Sequence, residues 1–312
     1  MHTTYFELNE KGLPIETSQE GLGRWVSLLK PSPERRLEIC EKWQIPEDFL
    51  SDPLDQDEAP RVEIKDGVIL IIFRIPIPDD ESGGIYKTVP IGIVIAKDIN
   101  FIISANPILL FKEFFRPAGL TEFPVKRNTL ILSVIEAVTQ KYLNYLRHMN
   151  HMQDKIENEL IVDTQNEKLI NLLHLKKSLV IFTTSLKGNS SILYRLKKYL
   201  KIVESEEEGE ILEDINIDTK QAIEMSEIYT NIIIGTMNTF SSIISNQISF
   251  IMKVLTGFTI ILMVPTLITS AYGMNIEGLP FAKSGEAFAI VIGICLVFSI
   301  TSLLFLKHKK WF

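Results

Sequence analysis

The sequence predicts an α+β cytoplasmic domain with long stalk helices, followed by a two-helix transmembrane hairpin. Three observations predict this class: short apolar runs broken by turn residues come first, proline is then absent until Pro265, and two long uncharged runs follow near the end. We expect an α/β domain at 1–125, a helical domain and stalk at 126–250, and a membrane hairpin with a basic tail at 251–312.

Composition narrows the function classes. The net charge of −7 disfavours nucleic acid as a partner, since nucleic-acid binding calls for a basic surface. Cys40 lies in a charged region and Cys295 in an apolar run, so neither a disulfide nor a cysteine metal site is expected. The first residues lack the features of a signal peptide, which predicts a cytoplasmic N-terminal part. The sequence has no phosphate-binding glycine loop, catalytic triad or zinc signature, so we predict neither an enzyme nor an organic cofactor.

The α/β domain is predicted from apolar runs rich in β-branched residues. Buried strands are expected at 68–73, 91–95 and 101–104, with an exposed loop at 76–84. Helices are expected at 33–43 and 108–115.

Long helices are predicted where proline is absent, because no residue interrupts their backbone hydrogen bonds. The predicted helices run from 130 to about 162 and from 165 to about 203. An acidic turn is expected at 204–210, and a third helix is expected to start near Asp214 and continue into the membrane.

Two uncharged runs, at about 254–274 and 287–306, are each long enough to cross a bilayer. The short link between them forces an antiparallel hairpin. Basic residues flank its open end, with Lys253 before the first run and Lys307, Lys309 and Lys310 after the second. The positive-inside tendency then predicts an integral protein of the plasma (inner) membrane with both termini cytoplasmic.

A polar stripe runs along the third predicted helix. Written at a period of 3.5, one face of that helix contains only small, polar or methionine side chains. Its members are Asn231, Gly235, Asn238, Ser242, Ser245, Ser249, Met252, Thr256, Thr259, Met263, Thr266, Ser270 and Gly273. A bundle with this face inward would surround a narrow wet path. Alternatively, each Ser or Thr bonds its own backbone or a neighbouring helix.

The first apolar run ends in Tyr272-Gly273-Met274-Asn275, which resembles the signature of the CorA magnesium-transporter family. The resemblance extends to 252–256, to the Pro265-Thr266 pair and to the basic-aromatic end at 309–312. It implies a funnel-shaped homopentamer in the lipid bilayer, with the first span of each subunit around the pore and the second outside it.

For individual residues, the resemblance implies an outer filter of Gly273, Met274 and Asn275 that binds the hydrated ion. A helix C-cap is the alternative role for Asn275. The implied pore face comprises Asn238, Ser242, Ser245, Ser249, Met252, Leu255, Thr256, Thr259, Met263, Thr266 and Ser270. Met252 and Leu255 would form an apolar constriction. Ser249 and Asn238 replace an amide and an acidic residue found in family members, which weakens the case for an inner charged site.

The resemblance also implies Mg²⁺ as both transported substrate and regulatory ligand. Asp214 and, on the neighbouring subunit, Asp52 match the regulatory carboxylates, although Asp214 and Asp218 could instead cap a helix. Lys307, Lys309 and Lys310 match a basic ring around the inner pore mouth and could also contact lipid headgroups. Co²⁺ and Ni²⁺ are further candidate substrates.

Two other functions stay open at this point. One is a Zn²⁺-transporting relative of the same architecture, and the other is a membrane-tethered cytosolic sensor without transport. A separate metal site at His148, His151 and Asp154 has helical spacing, but such a trio is more typical of a solvated helix face.

Overall fold

The protein is described by a computed structural model, which forms two compact units at Met1–Thr236 and Met237–Phe312. We call them the N-terminal and C-terminal units. The structure describes residues 2–8, 14–17, 24–79, 84–97, 99–106, 127–162, 166–199, 205–274, 280 and 285–309.

Seven described strands form one sheet in the N-terminal unit. They are β1 (His2–Leu8), β2 (Pro14–Thr17), β3 (Arg24–Leu29), β4 (Arg61–Lys65), β5 (Val68–Pro78), β6 (Tyr86–Ile95) and β7 (Ile99–Ser104). Their order is β2-β1-β3-β7-β6-β5-β4. Neighbours are antiparallel except β3 and β7, which are parallel. The strands expected at 68–73, 91–95 and 101–104 are confirmed within β5, β6 and β7.

The described helices are α1 (Pro33–Trp43), α2 (Glu47–Ser51), α3 (Arg127–Val162), α4 (Asn166–Tyr199), α5 (Glu206–Tyr272) and α6 (Ala287–His308). A 3-10 turn at Asp52–Leu54 follows α2. The helix expected at 33–43 is confirmed as α1, which starts where Ser32 accepts a hydrogen bond from the Arg35 amide. The helix expected at 108–115 lies outside the described residues.

The sheet is covered on both faces. Phe49 and Leu50 of α2 pack in one core with Leu70 of β5 and Phe101 of β7. On the α3 and α4 side, the Tyr142 hydroxyl donates to the Arg74 carbonyl at 3.1 Å. Burial on both faces explains why β5, β6 and β7 are almost continuously apolar.

The loop expected at 76–84 is wrong at its start, because β5 continues to Pro78 and pairs it with Tyr86 of β6. Proline has no N–H to donate to a neighbouring strand, so it is tolerated where one edge of its strand is unpaired. β4 pairs only with 68–72, so no described strand pairs with the second edge of β5 at Pro76 and Pro78. Residues 80–83 lie outside the described residues.

The start of α5 also differs from the expectation. A turn was expected at 204–210 and a helix near Asp214, whereas α5 begins at Glu206. Ser205 and Glu208 form a capping box: the Glu208 amide donates to Ser205 Oγ at 3.2 Å, and the Ser205 amide donates to Glu208 Oε2 at 3.1 Å. Carboxylates are also favourable in the first turn of a helix, so the acidic run starts the helix here.

Two prolines of the segment between α2 and β4 each pack against a glycine. A Cβ on Gly92 of β6 would lie 2.3 Å from Cγ of Pro53, and a Cβ on Gly188 of α4 would lie 2.7 Å from Cγ of Pro60. Neither glycine can therefore be replaced without moving a proline ring. Both ends of the segment 53–60 are thus held in place, one on the sheet and one on α4.

The C-terminal unit contains the last part of α5 and the whole of α6. Both helices are long and apolar enough to cross a membrane. Within this unit, Gly257 of α5 is buried and Val254, Ile261 and Ile268 are partly buried. Cys295 of α6 is buried, and its Sγ lies 3.9 Å from the Pro265 carbonyl oxygen.

Candidate ion pathway

The polar stripe lies on the surface of α5. All thirteen members, and Leu255 beside them, are exposed in the single chain. Residues of an α-helix are about 100° apart around its axis. By this measure, the centre of the stripe lies opposite the partly buried residues, which are on the α6 side. The central stripe residues are Met252, Thr259, Met263 and Thr266. Of the faces of α5 in the C-terminal unit, the stripe is therefore the one furthest from α6.

Three hydroxyls of the stripe donate hydrogen bonds to their own helix. Thr259 Oγ1 donates to the Leu255 carbonyl at 2.9 Å, Thr266 Oγ1 to the Leu262 carbonyl at 2.8 Å, and Ser242 Oγ to the Asn238 carbonyl at 3.0 Å. The expectation that such hydroxyls bond their own backbone is confirmed for these three. Each oxygen keeps acceptor capacity, and an acceptor suits the water shell of a cation, whose water hydrogens point outward.

Pro265 lies inside α5 beside the stripe. It has no N–H, so the helix loses the donor to the carbonyl four residues earlier. The carbonyl oxygen of Pro265 contacts two side chains. Thr269 Oγ1 donates a hydrogen bond to it at 3.0 Å, and Cys295 Sγ lies 3.9 Å from it. The Cys295 contact links the proline turn to α6.

The predicted filter begins where α5 ends. The Gly273 amide donates to the Thr269 carbonyl at 2.9 Å, and Met274 is 55% exposed. A Cβ on Gly273 would meet only ordinary contacts with the described residues, at 3.4 Å and beyond, so none of those residues requires glycine there. The Tyr272 hydroxyl donates to the Pro280 carbonyl at 3.1 Å. Asn275 lies outside the described residues.

Asp52 is paired within its own chain. Its Oδ2 accepts a hydrogen bond from Arg61 Nη2 at 2.6 Å. The same guanidinium bonds Glu58 through Nη1 and Glu63 through Nε at 3.3 Å. Burial lowers the pKa of Arg61, but these carboxylates outweigh it and the net pKa is raised. The sequence shows the acidic residues around Arg61, yet the approach of Asp52 to it depends on the path of the segment 53–60 between α2 and β4.

Asp214 is exposed and lies two turns inside α5. The alternative role of helix N-cap is therefore wrong for Asp214, because Ser205 caps this helix. One turn later, Asp218 accepts a hydrogen bond from Gln140 Nε2 of α3 at 2.5 Å. Burial raises the pKa of Glu136 on α3, and the charges of Asp218 and Asp214 raise it further. Sequence reasoning missed Glu136, which helical spacing alone does not link to α5.

No hydrogen bond or ion pair joins Asp52 to Asp214 among the described residues. In that same part of the chain, no three His, Cys, Asp or Glu side chains are placed to hold a metal ion.

The trio His148, His151 and Asp154 also does not converge. His148 Nδ1 lies 2.5 Å from the Tyr86 hydroxyl, and Asp154 accepts a hydrogen bond from Asn150 Nδ2 at 3.3 Å. All three are exposed, which agrees with a solvated helix face. His148 thus joins α3 to the start of β6, a contact that the sequence did not reveal.

The basic residues follow the last apolar stretch of α6. Lys307 lies in its final turn, and the Lys309 amide donates to the Phe305 carbonyl at 3.0 Å. Both lysines are exposed, and positive charge at this position is favourable for the helix dipole. Lys310 lies outside the described residues.

Comparison with known proteins assigns the chain to a family, which the geometry alone does not do. The model of the family described as CorA-like Mg²⁺ transporter protein matches residues 22–308. The chain belongs to this family. The cobalt/magnesium transport protein CorA from Methanocaldococcus jannaschii is 28% identical to this CorA-like chain over 292 residues, 92% of the chain and 90% of that protein.

Other comparisons agree. The cobalt/magnesium transport protein CorA from Thermotoga maritima is 23% identical over 274 residues, 84% of the chain and 75% of that protein. The complete structure of the CorA magnesium transporter from Methanocaldococcus jannaschii has a TM-score of 0.83 at 26% identity, and the alignment covers 100% of this chain and 99% of that one. The CorA-like fold expected from the Tyr-Gly-Met-Asn signature is confirmed.

Proposed function

We propose that this CorA-like chain forms a divalent-cation channel, chiefly for Mg²⁺ influx and also open to Co²⁺ and Ni²⁺. The observation that carries the proposal is the position of the polar stripe on α5. In the C-terminal unit the stripe faces away from α6, and it continues through the apolar length of the helix. A lone hairpin would expose these polar groups to lipid, at a free-energy cost.

A ring of identical chains removes that cost. With α5 of each subunit turned inward and α6 outside, the stripes would enclose a wet path and the apolar flanks would meet neighbours or lipid. A homopentamer is the assembly that family resemblance favours. Basic residues at the open end of the hairpin favour an inner-membrane protein with both termini cytoplasmic.

The chemistry of the path suits a hydrated ion. Mg²⁺ loses water reluctantly, so neutral oxygens that accept hydrogen bonds from its water shell fit better than a cage of carboxylates. The stripe offers hydroxyl oxygens whose hydrogens are already used by backbone carbonyls. At the outer end, the amides of Asn275 would form the filter with Gly273 and Met274. At the inner end, Met252 and Leu255 would form a constriction that closes by dewetting.

Regulation would use carboxylates of adjacent subunits. Mg²⁺ shared by Asp52 and Asp214 would neutralise charges that otherwise repel across the interface, which favours a closed, symmetric ring at high internal Mg²⁺. Arg61 already pairs with Asp52, so the ion would compete with this guanidinium. Lys307, Lys309 and Lys310 would lie near the inner mouth or bind lipid headgroups.

A Zn²⁺-transporting relative is the nearest alternative, since it would share the architecture. A membrane-tethered sensor without transport ranks lower because it would not need a continuous polar stripe.

Ion uptake into liposomes that contain the purified protein tests these functions. We expect Mg²⁺ to enter when Mg²⁺, Co²⁺, Ni²⁺ and Zn²⁺ are compared at one membrane potential. When the potential is then varied, Mg²⁺ should enter faster as the interior becomes more negative. Preference for Zn²⁺ would support the relative, and absence of any uptake by correctly inserted protein would support the sensor.

A further inference from the structure

An open groove of about 940 Å³ lies in the N-terminal unit, between the edge strand β4 and one face of α4. Val62 and Ile64 form the strand wall. The helix wall is Lys187, Ser190, Ser191, Tyr194 and Arg195, whose spacing of three and four places them on one helix face. Its volume is within the range of small-molecule sites.

Lys187 and Arg195 give the groove positive charge, and their contacts with other described residues use only some of their N–H donors. Lys187 Nζ pairs with Glu227 Oε1 of α5 at 2.6 Å, and Arg195 Nη1 donates to the Val62 carbonyl at 3.4 Å. Lysine has three N–H donors and arginine five, so these contacts use one donor of each. The two residues are eight apart, about 12 Å along the helix, a separation across which both long side chains can reach toward one phosphate between them.

The remaining lining groups specify more than charge. Tyr194 is 63% exposed and Ile64 is 55% exposed, so a ring and an apolar wall face the solvent. Ser191 Oγ donates to the Gly188 carbonyl at 2.7 Å, which leaves that oxygen as an acceptor for a ligand hydroxyl. A fitting ligand therefore has anionic oxygens for the cations, hydroxyl donors for the serine and a flat ring for Tyr194.

Organic phosphates that contain a sugar and a flat base have all three features. We propose that this groove binds a nucleotide, with its phosphate at the cations and its base against Tyr194. This site is separate from the ion pathway, so its existence does not depend on the proposed transport function. It would also link ligand binding to α5, because Lys187 would contact both the phosphate and Glu227.

The test is equilibrium dialysis of the full-length protein in detergent with radiolabelled AMP at fixed Mg²⁺. AMP is preferred to a polyphosphate so that chelation of Mg²⁺ does not complicate the measurement. We expect saturable binding, displaced better by AMP than by ribose 5-phosphate, adenosine or inorganic phosphate. Equal displacement by inorganic phosphate would show a plain anion site and overturn the proposal, as would no saturable binding at millimolar AMP.

Variants locate the site. Arg195→Gln should weaken AMP binding by about tenfold, the effect of losing one charge-assisted hydrogen bond. Tyr194→Ala should weaken it while Tyr194→Phe retains it, and Lys220→Gln on α5 is the control for a lost surface charge. Glu227→Gln should tighten binding because it removes a carboxylate that repels the phosphate near Lys187, a gain that misfolding cannot produce. Wild-type affinity in both Arg195→Gln and Glu227→Gln would place AMP elsewhere and overturn the proposal.

Discussion

Cys295 Sγ of α6 lies 3.9 Å from the carbonyl oxygen of Pro265 in α5. Cys295 is buried and Pro265 partly buried, so the contact belongs to the face on which the two helices meet. It fixes the rotation of α5 about its own axis within the hairpin. Met263 and Thr266, two and one residues away, consequently lie on sides of α5 that do not meet α6.

This rotation can be tested with single cysteines placed in a background that lacks Cys40 and Cys295. We expect Met263→Cys and Thr266→Cys to react with a water-soluble thiol reagent in the membrane-inserted protein. Ile260→Cys and Ile261→Cys should react much more slowly, because they would face lipid or neighbouring helices. Equal labelling of the two pairs would refute the proposed pore face.

The filter is tested by Asn275→Ala. We expect Mg²⁺ uptake to be abolished or sharply reduced while assembly is retained, because the amide oxygens would hold the water shell of the ion. Asn246→Ala is the matched control, since Asn246 is an exposed amide of α5 outside the stripe. Uptake and gel filtration of the same preparations give the two readouts, and normal uptake by a correctly inserted Asn275→Ala protein would remove Asn275 from the filter.

Control by internal Mg²⁺ is tested by Asp214→Lys, which replaces a bound ion by a fixed positive charge. We expect limited proteolysis of the N-terminal unit to become independent of Mg²⁺, whereas Mg²⁺ should protect the wild type. Glu213→Lys makes the same charge change at the preceding exposed residue and should keep the Mg²⁺ dependence. If Asp214→Lys is still protected only by added Mg²⁺, the regulatory site lies elsewhere.

The raised pKa of Glu136 predicts a pH dependence of stability. Burial, Asp218 and Asp214 favour its protonated form in the folded protein, so the folded state binds this proton more tightly than the unfolded state. Its contribution to stability is therefore present at low pH and is lost as the pH rises through the raised pKa.

Glu136→Gln should consequently raise the unfolding temperature at pH 7. The gain should shrink as the pH falls toward the ordinary pKa of glutamate, about 4.3, where the wild-type carboxyl becomes protonated as well. Thermal unfolding at a series of pH values and constant Mg²⁺ measures this trend. The exposed Glu41→Gln should show little change, and a Glu136→Gln gain independent of pH would contradict the explanation.

The capping box predicts a cost at the start of α5. Ser205→Ala should destabilise the protein by about 1 kcal/mol, the usual effect of losing a serine N-cap. Glu207→Ala removes an exposed carboxylate from the same turn without touching the box and should cost less. Urea unfolding followed by circular dichroism compares them, and unchanged stability of Ser205→Ala would contradict the capping role of Ser205.

Sequence patterns predicted the strands that are buried on both faces of the sheet. The runs at 68–73, 91–95 and 101–104 are apolar because helices cover both faces of the sheet, and a continuous apolar run indicates such a strand directly. β1 and β3 were not predicted. Their place depends on the parallel pairing of β3 with β7, which joins residues 75 apart in the chain, such as Arg24 and Ile99, and leaves no local signal.

Charge was harder to interpret than apolar patterning. The acidic run at 204–210 suggested a turn, although Ser205 and Glu208 have the spacing of a capping box. The polar stripe was visible because its period matches a helix, and its separation from the α6 face required the structure. The convergence of Asp52, Glu58 and Glu63 on Arg61 also needed the fold, since distance along the chain does not show which carboxylates share a partner.

The seating of Pro53 against Gly92 and of Pro60 against Gly188 has a consequence for Asp52, which directly precedes Pro53. A carboxylate on a mobile loop can follow an ion over several ångströms, and its affinity then changes little when a neighbouring subunit moves. Asp52 lacks that freedom, because its loop is held on the sheet and on α4. Its affinity for a shared cation would fall steeply with small changes in subunit spacing. Cation binding at Asp52 would then respond to the spacing between subunits as well as to the ion concentration.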